Sequence, residues 1–185
     1  MREQTNLPNV LTLLRILLVP VVILALLKES DSGDAVAAVA FAIAGTTDWF
    51  DGYLARSRNL VTSFGKVMDP VADKLLITGT LITLSALDEF PVVATALILF
   101  REFAVSALRI VVADNGGRVI SASQYGKIKT VLQMFAVLAV IIDGPGGWVD
   151  VLIWITVAVT LATGLDYFLN VRKRIDRPAA EGSDA

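Results

Sequence analysis

Four aspartates stand out by type and spacing. Asp48 and Asp51 are three residues apart, and Asp69 and Asp73 are four apart, separations that put both members of a pair on one face of a helix. A short connection between the two stretches would bring the pairs together. Four carboxylates crowded in a low-dielectric setting repel one another, and some of their pKa values rise unless something positive neutralises them. Hard divalent cations do this with oxygen ligands, and two ions could share such a cluster. The chain has no histidine and no cysteine, so metal and proton chemistry must fall to carboxylates, and disulfides, thiolate sites and cysteine nucleophiles are excluded. The competing reading is of unrelated helix-end aspartates, with Asp69 capping a turn that begins at Pro70. Gly52 and Ala55, beside the aspartates, permit either close helix packing or close approach of a flat ligand.

The elements that must carry these residues are oily. Apolar residues make up 55% of the 185, above the roughly 45 to 50% usual for soluble domains, and the mean hydropathy is +0.69. A spanning helix needs about 20 mostly apolar residues. Six stretches approach that length, at about 8–27, 35–56, 67–87, 91–113, 125–142 and 148–170. Turn signals separate them at Ser30 to Gly33, Asp88 to Pro91, Asn115 to Gly117 and Gly144 to Gly147. The expected fold is an all-α integral membrane protein, a bundle of six transmembrane helices over residues 1–171, followed by a polar, disordered tail over 172–185. The N-terminal apolar run contains Arg15 and Pro20 and lacks a small-residue cleavage pattern, so no removable signal peptide is expected.

The connections alternate in charge. The first, third and fifth carry Glu29, Asp31, Asp34, Asp88, Glu89, Asp143 and Asp150 against Lys28 alone. The other side carries Arg2, Arg56, Arg58, Lys66, Arg118, Lys127, Arg172, Lys173, Arg174 and Arg177. The positive-inside rule puts both termini, and with them the aspartate cluster, at the cytoplasmic face. Ionisable residues within spans cost at least about 2.5 to 3.5 kcal/mol at mid-bilayer, so they face the bundle interior or a hydrated cavity. Arg15 and Lys74 are read as snorkelling from helix ends, whereas Arg101 beside Glu102 fits either an ion pair or a site role.

The run Asp48-Trp-Phe-Asp51-Gly52-Tyr-Leu-Ala55-Arg56, followed after eight residues by Gly65-Lys-Val-Met-Asp69-Pro-Val-Ala-Asp73, resembles at every fixed position the DxxDGxxARx8GxxxDxxxD signature of the CDP-alcohol phosphotransferase family. The resemblance implies six membrane helices with an active site at the cytoplasmic face of a multi-pass protein of the cell membrane, as in a bacterial plasma membrane. It implies that Asp48, Asp51, Asp69 and Asp73 hold two Mg²⁺ or Mn²⁺ ions, and that Asp73 also serves as general base. Gly52 and Ala55 would leave room for the cytidine of CDP-diacylglycerol, with Arg56 near its diphosphate. A homodimer is implied too; no nucleic-acid partner is expected, and membrane lipids surround the chain.

Pro8-Asn9-Val-Leu-Thr12-Leu-Leu-Arg15, Asp69-Pro-Val-Ala-Asp73-Lys74, Arg101-Glu102-Phe and Tyr125-Gly-Lys127-Ile-Lys129-Thr130 are similar to the branch of that family that joins sn-glycerol 3-phosphate to the phosphatidyl group. Cardiolipin synthases, which use phosphatidylglycerol, tend to have Arg-Asp where this chain has Arg101-Glu102. A phosphorylated acceptor needs cations, and Arg109, Arg118 and Lys129 are candidates; each could instead be a topology determinant. Inositol phosphate would want the same pocket. In a different class, a cation transporter could also use buried carboxylates, but its site would lie near the midplane on interrupted helices. A silent membrane scaffold would leave four converging aspartates without a purpose.

Overall fold

The computed structural model describes residues 7–57, 63–114 and 124–175, with side chains over 10–47, 68, 71–112 and 128–171. Six helices occupy them: α1 (Leu7–Leu26), α2 (Asp31–Ser57), α3 (Ser63–Ala86), α4 (Val92–Asp114), α5 (Gln124–Asp143) and α6 (Gly147–Ile175). The expected boundaries fall within a few residues of these, and the larger differences have local causes. Ser30 caps α2, its Oγ accepting the Gly33 amide at 3.3 Å, so the helix starts inside the turn signal instead of after it. A Cβ on Gly33 would lie 2.5 Å from the Ala25 carbonyl oxygen; only glycine lets the chain turn so tightly from α1 into α2. Pro20 sits inside a continuous α1, and α6 runs on through Arg172, Lys173 and Arg174 to Ile175. Residues 172–175 of the expected tail are therefore helical; the rest of it, from 176 on, lies outside the described residues, as does the turn at 115–117.

Two groups of three helices build the bundle. α1 packs along α2 and α3, α6 packs along α4 and α5, and α2 meets α5 while α3 meets α4. Small residues allow the closest of these contacts: Ala37, Ala40 and Ala44 line the buried face of α2. Between apolar surroundings and an apolar core, this kind of close packing holds helices together better than oil–water separation does. The core runs through Val22, Phe41, Leu81, Leu84, Ile98, Val137 and Ile153. A second, small cluster of Val105, Tyr167 and Val171 joins α4 to α6.

The outer faces are also apolar, with Leu17, Phe100, Ile110, Ile142 and Phe168 exposed, an exterior suited to lipid. Among the described residues, Gly147–Val171 is long and apolar enough to cross a membrane by its own composition, and Val10–Leu26 is a shorter apolar stretch. The helix number matches the expectation from sequence. Among the described residues of α4, Arg101, Glu102 and Arg109 interrupt the apolar run.

The first and third acidic turns share one end of the bundle. Glu89, between α3 and α4, has its pKa raised from the ordinary glutamate value by burial first and then by Asp34 and Glu29 of the α1–α2 region. Two connections distant in sequence therefore meet at the same pole.

Candidate active site

Asp48, Asp51, Gly52, Ala55 and Arg56 ride on the last turns of α2, and Asp69 and Asp73 on α3, which packs against it. Because both stretches are helical, each aspartate pair keeps its one-face spacing. α3 already begins at Ser63, so Asp69 lies inside the helix and does not cap it. The side chains of Asp48, Asp51, Asp69 and Arg56 lie outside those described, and Arg118 lies outside the described residues altogether.

Asp73 is described, and its surroundings are specific. It lines a small pocket with Lys74, Ile77 and Thr78 of α3, Glu102 of α4, and Lys129, Thr130 and Gln133 of α5. Lys129, buried, donates from Nζ to Glu102 Oε1. Arg101 Nη1 reaches the same oxygen at 3.3 Å. Arg101 is itself held by α6, with Nε donating to the Thr160 carbonyl at 3.1 Å and Nη2 to Thr163 Oγ1 at 3.1 Å. Gln133 is buried, and its amide nitrogen has no partner among the described residues, so this wall keeps a donor to spare.

Of the three cations considered for an acceptor phosphate, Lys129 therefore borders Asp73. Arg109 does not line that pocket; its guanidinium lies 5.3 Å from the ring centre of Tyr167 on α6, a cation–π distance. Arg109 Nε and the Tyr167 hydroxyl are both buried without a partner among the described residues. Lys74 also borders the Asp73 pocket.

Arg15 corrects the sequence reading more firmly. It is fully buried, and Nε donates to the Ala44 carbonyl at 3.2 Å. Ala44 stands one helical turn before Asp48, so Arg15 ties α1 to the stretch of α2 that presents the first aspartate. Snorkelling was the wrong assignment because the helix on the other side supplies an acceptor at the depth of the guanidinium. The ion pair weighed for Arg101 beside Glu102 is present; what local pattern does not show is Lys129 of α5, which joins the same carboxylate.

The donor set fits hard divalent cations. Carboxylates are the sole strong ligands a chain without histidine or cysteine can offer, and α2 and α3 carry their aspartates on contacting helices.

The model of the CDP-alcohol phosphatidyltransferase family matches residues 5–162. The chain belongs to this family. Its relatives include proteins of Rickettsia felis, 42% identical over 180 residues covering 94% of this chain and 99% of the relative, and of Bacillus subtilis, 41% identical over 181 residues covering 88% and 93%. A third, of Rickettsia prowazekii, is 42% identical over 175 residues covering 91% and 96%. All three carry the name CDP-diacylglycerol–glycerol-3-phosphate 3-phosphatidyltransferase. As a member of the CDP-alcohol phosphatidyltransferase family, the chain is a phosphotransferase and a membrane enzyme, and the family generally uses a divalent metal.

Proposed function

We propose that this chain transfers the phosphatidyl group of CDP-diacylglycerol to sn-glycerol 3-phosphate, releasing CMP and forming phosphatidylglycerophosphate for phospholipid biosynthesis. The observation that carries this reading is the pocket in which Asp73, the last carboxylate of an unbroken signature, meets Lys129. It pairs a base for an alcohol with a cation for a phosphate. The shared name of near-full-length relatives supports the same acceptor.

In this proposal Asp48, Asp51, Asp69 and Asp73 bind two ions, Mg²⁺ or Mn²⁺, which when bound offset charge on the diphosphate as CMP departs. Asp73 takes the proton of the acceptor hydroxyl. Gly52 and Ala55 leave space for the cytidine, Arg56 lies by the diphosphate, and Arg109, Arg118 and Lys129 serve the acceptor phosphate. The chain spans the membrane six times with both termini in the cytoplasm, residues 1–171 forming the catalytic domain, and works as a homodimer. The alternation of acidic and basic connections supports that orientation.

The test is an acceptor panel. Purified protein with CDP-diacylglycerol and Mg²⁺ is given glycerol 3-phosphate, inositol 1-phosphate, serine or phosphatidylglycerol, and the lipid products are separated. A new lipid with glycerol 3-phosphate alone is expected; a product with another acceptor instead would reassign the branch.

A further inference from the structure

Lys129 comes to the Asp73 pocket from α5, a helix that belongs to the α6 side of the bundle, and the Glu102 carboxylate accepts from its ammonium there. Glu102 Oε1 accepts from both Lys129 Nζ and Arg101 Nη1. The three side chains are 9%, 16% and 11% exposed for Lys129, Glu102 and Arg101. In so dry a setting a long lysine without a fixed partner would have several rotamers and a large desolvation cost. The carboxylate is in turn held by Arg101, and Arg101 by one turn of α6. Its Nε and Nη2 bond Thr160 and Thr163, and its stem lies against Gly164, where a Cβ would come within 2.8 Å of Arg101 Cγ. A continuous polar chain thus runs from α6 through α4 to α5 and ends at the wall that Asp73 lines on α3.

Charge counting gives this chain a purpose. Two cations and one carboxylate sum to +1, so Glu102 offsets only part of the charge and leaves a net cation beside Asp73. An ammonium has three donors, and Glu102 engages one of them in a fixed direction. We propose that Glu102 is a positioning residue that aims the Lys129 ammonium at the phosphate of the acceptor, with Arg101 and its seat at Gly164 as the anchor. The inference rests on the reading of glycerol 3-phosphate as acceptor. It differs from a purely structural ion pair in predicting an effect confined to one substrate.

Steady-state kinetics of the full chain in detergent with CDP-diacylglycerol and glycerol 3-phosphate decide it. Glu102→Gln keeps the size and removes the charge; it should raise the KM for glycerol 3-phosphate about tenfold while moving the KM for CDP-diacylglycerol less than about twofold. In a Lys129→Met background, Glu102→Gln should add less than about twofold, because a residue acting through Lys129 has nothing left to position. This second comparison keeps the proposal falsifiable if the single variant fails to fold, since the double variant leaves no lysine facing a neutral amide. Equal rises in both KM values, or a further rise in the Lys129→Met background, would overturn the proposal. A wild-type chain inactive with glycerol 3-phosphate would sink the functional reading itself, whereas an active wild type with an unaltered Glu102→Gln would sink only the positioning role.

Discussion

Asp73 is the signature aspartate whose side-chain neighbours are described, and they are the neighbours a phosphorylated alcohol would want: a buried ammonium, two threonines and an amide with an unused donor. Substitution by asparagine removes charge at nearly constant size, so it separates ligand carboxylates from surface ones. We predict that Asp48→Asn, Asp51→Asn, Asp69→Asn and Asp73→Asn each lower turnover by about a hundredfold or more. Asp88→Asn and Asp150→Asn should leave it within about twofold. Asp88 has a φ of 60°, a conformation asparagine adopts readily, and Asp150 accepts the Gly146 amide at 3.2 Å through an oxygen that asparagine retains. Equal losses in both sets, measured as CMP release, would mean that folding was being disturbed and not chemistry.

Helices deliver these residues, and Arg15 shows how firmly. Its bond to the Ala44 carbonyl joins α1 to α2 one turn before Asp48. We predict that Arg15→Met lowers stability by about 1.5 to 3 kcal/mol, the worth of a hydrogen bond to a charged group. Thermal unfolding in detergent would read the loss, and an unchanged midpoint would contradict the assignment. The helices themselves were legible from apolar run length and turn residues, because both are local signals. The aspartate spacing was legible for the same reason: one helix face is written in i, i+3 and i, i+4 steps. The bonds of Arg15 to Ala44 and of Glu102 to Lys129 were not, since the partners lie 29 and 27 residues apart on different helices. Lone charges in an apolar run look alike whether they reach for water or for a carbonyl. The alternation of loop charge did foreshadow a tertiary fact, the meeting of Glu89 with Asp34 and Glu29 at one pole.

That acidic pole gives the whole molecule a pH signature apart from its chemistry. Glu89 holds its proton more tightly in the folded chain than glutamate ordinarily does, through burial and then through Asp34 and Glu29. A raised folded-state pKa favours folding in acid, and the contribution is lost as pH climbs through that pKa. Once ionised in the folded chain, Glu89 therefore opposes folding. We predict that Glu89→Gln raises the unfolding midpoint at pH 7 and that the gain disappears as the pH falls below the ordinary glutamate value of 4.5; a gain that grew in acid would contradict the assignment. At the other pole, toward which α2 ends and α3 begins, the proposed divalent cation site catalyses phosphatidyl transfer. Incorporation of labelled sn-glycerol 3-phosphate into extractable lipid by the purified chain with CDP-diacylglycerol tests that claim most directly. Label should be absent with EDTA and should return when Mg²⁺ or Mn²⁺ is supplied in excess; full incorporation in the presence of the chelator, or none when the metals are restored, would contradict it.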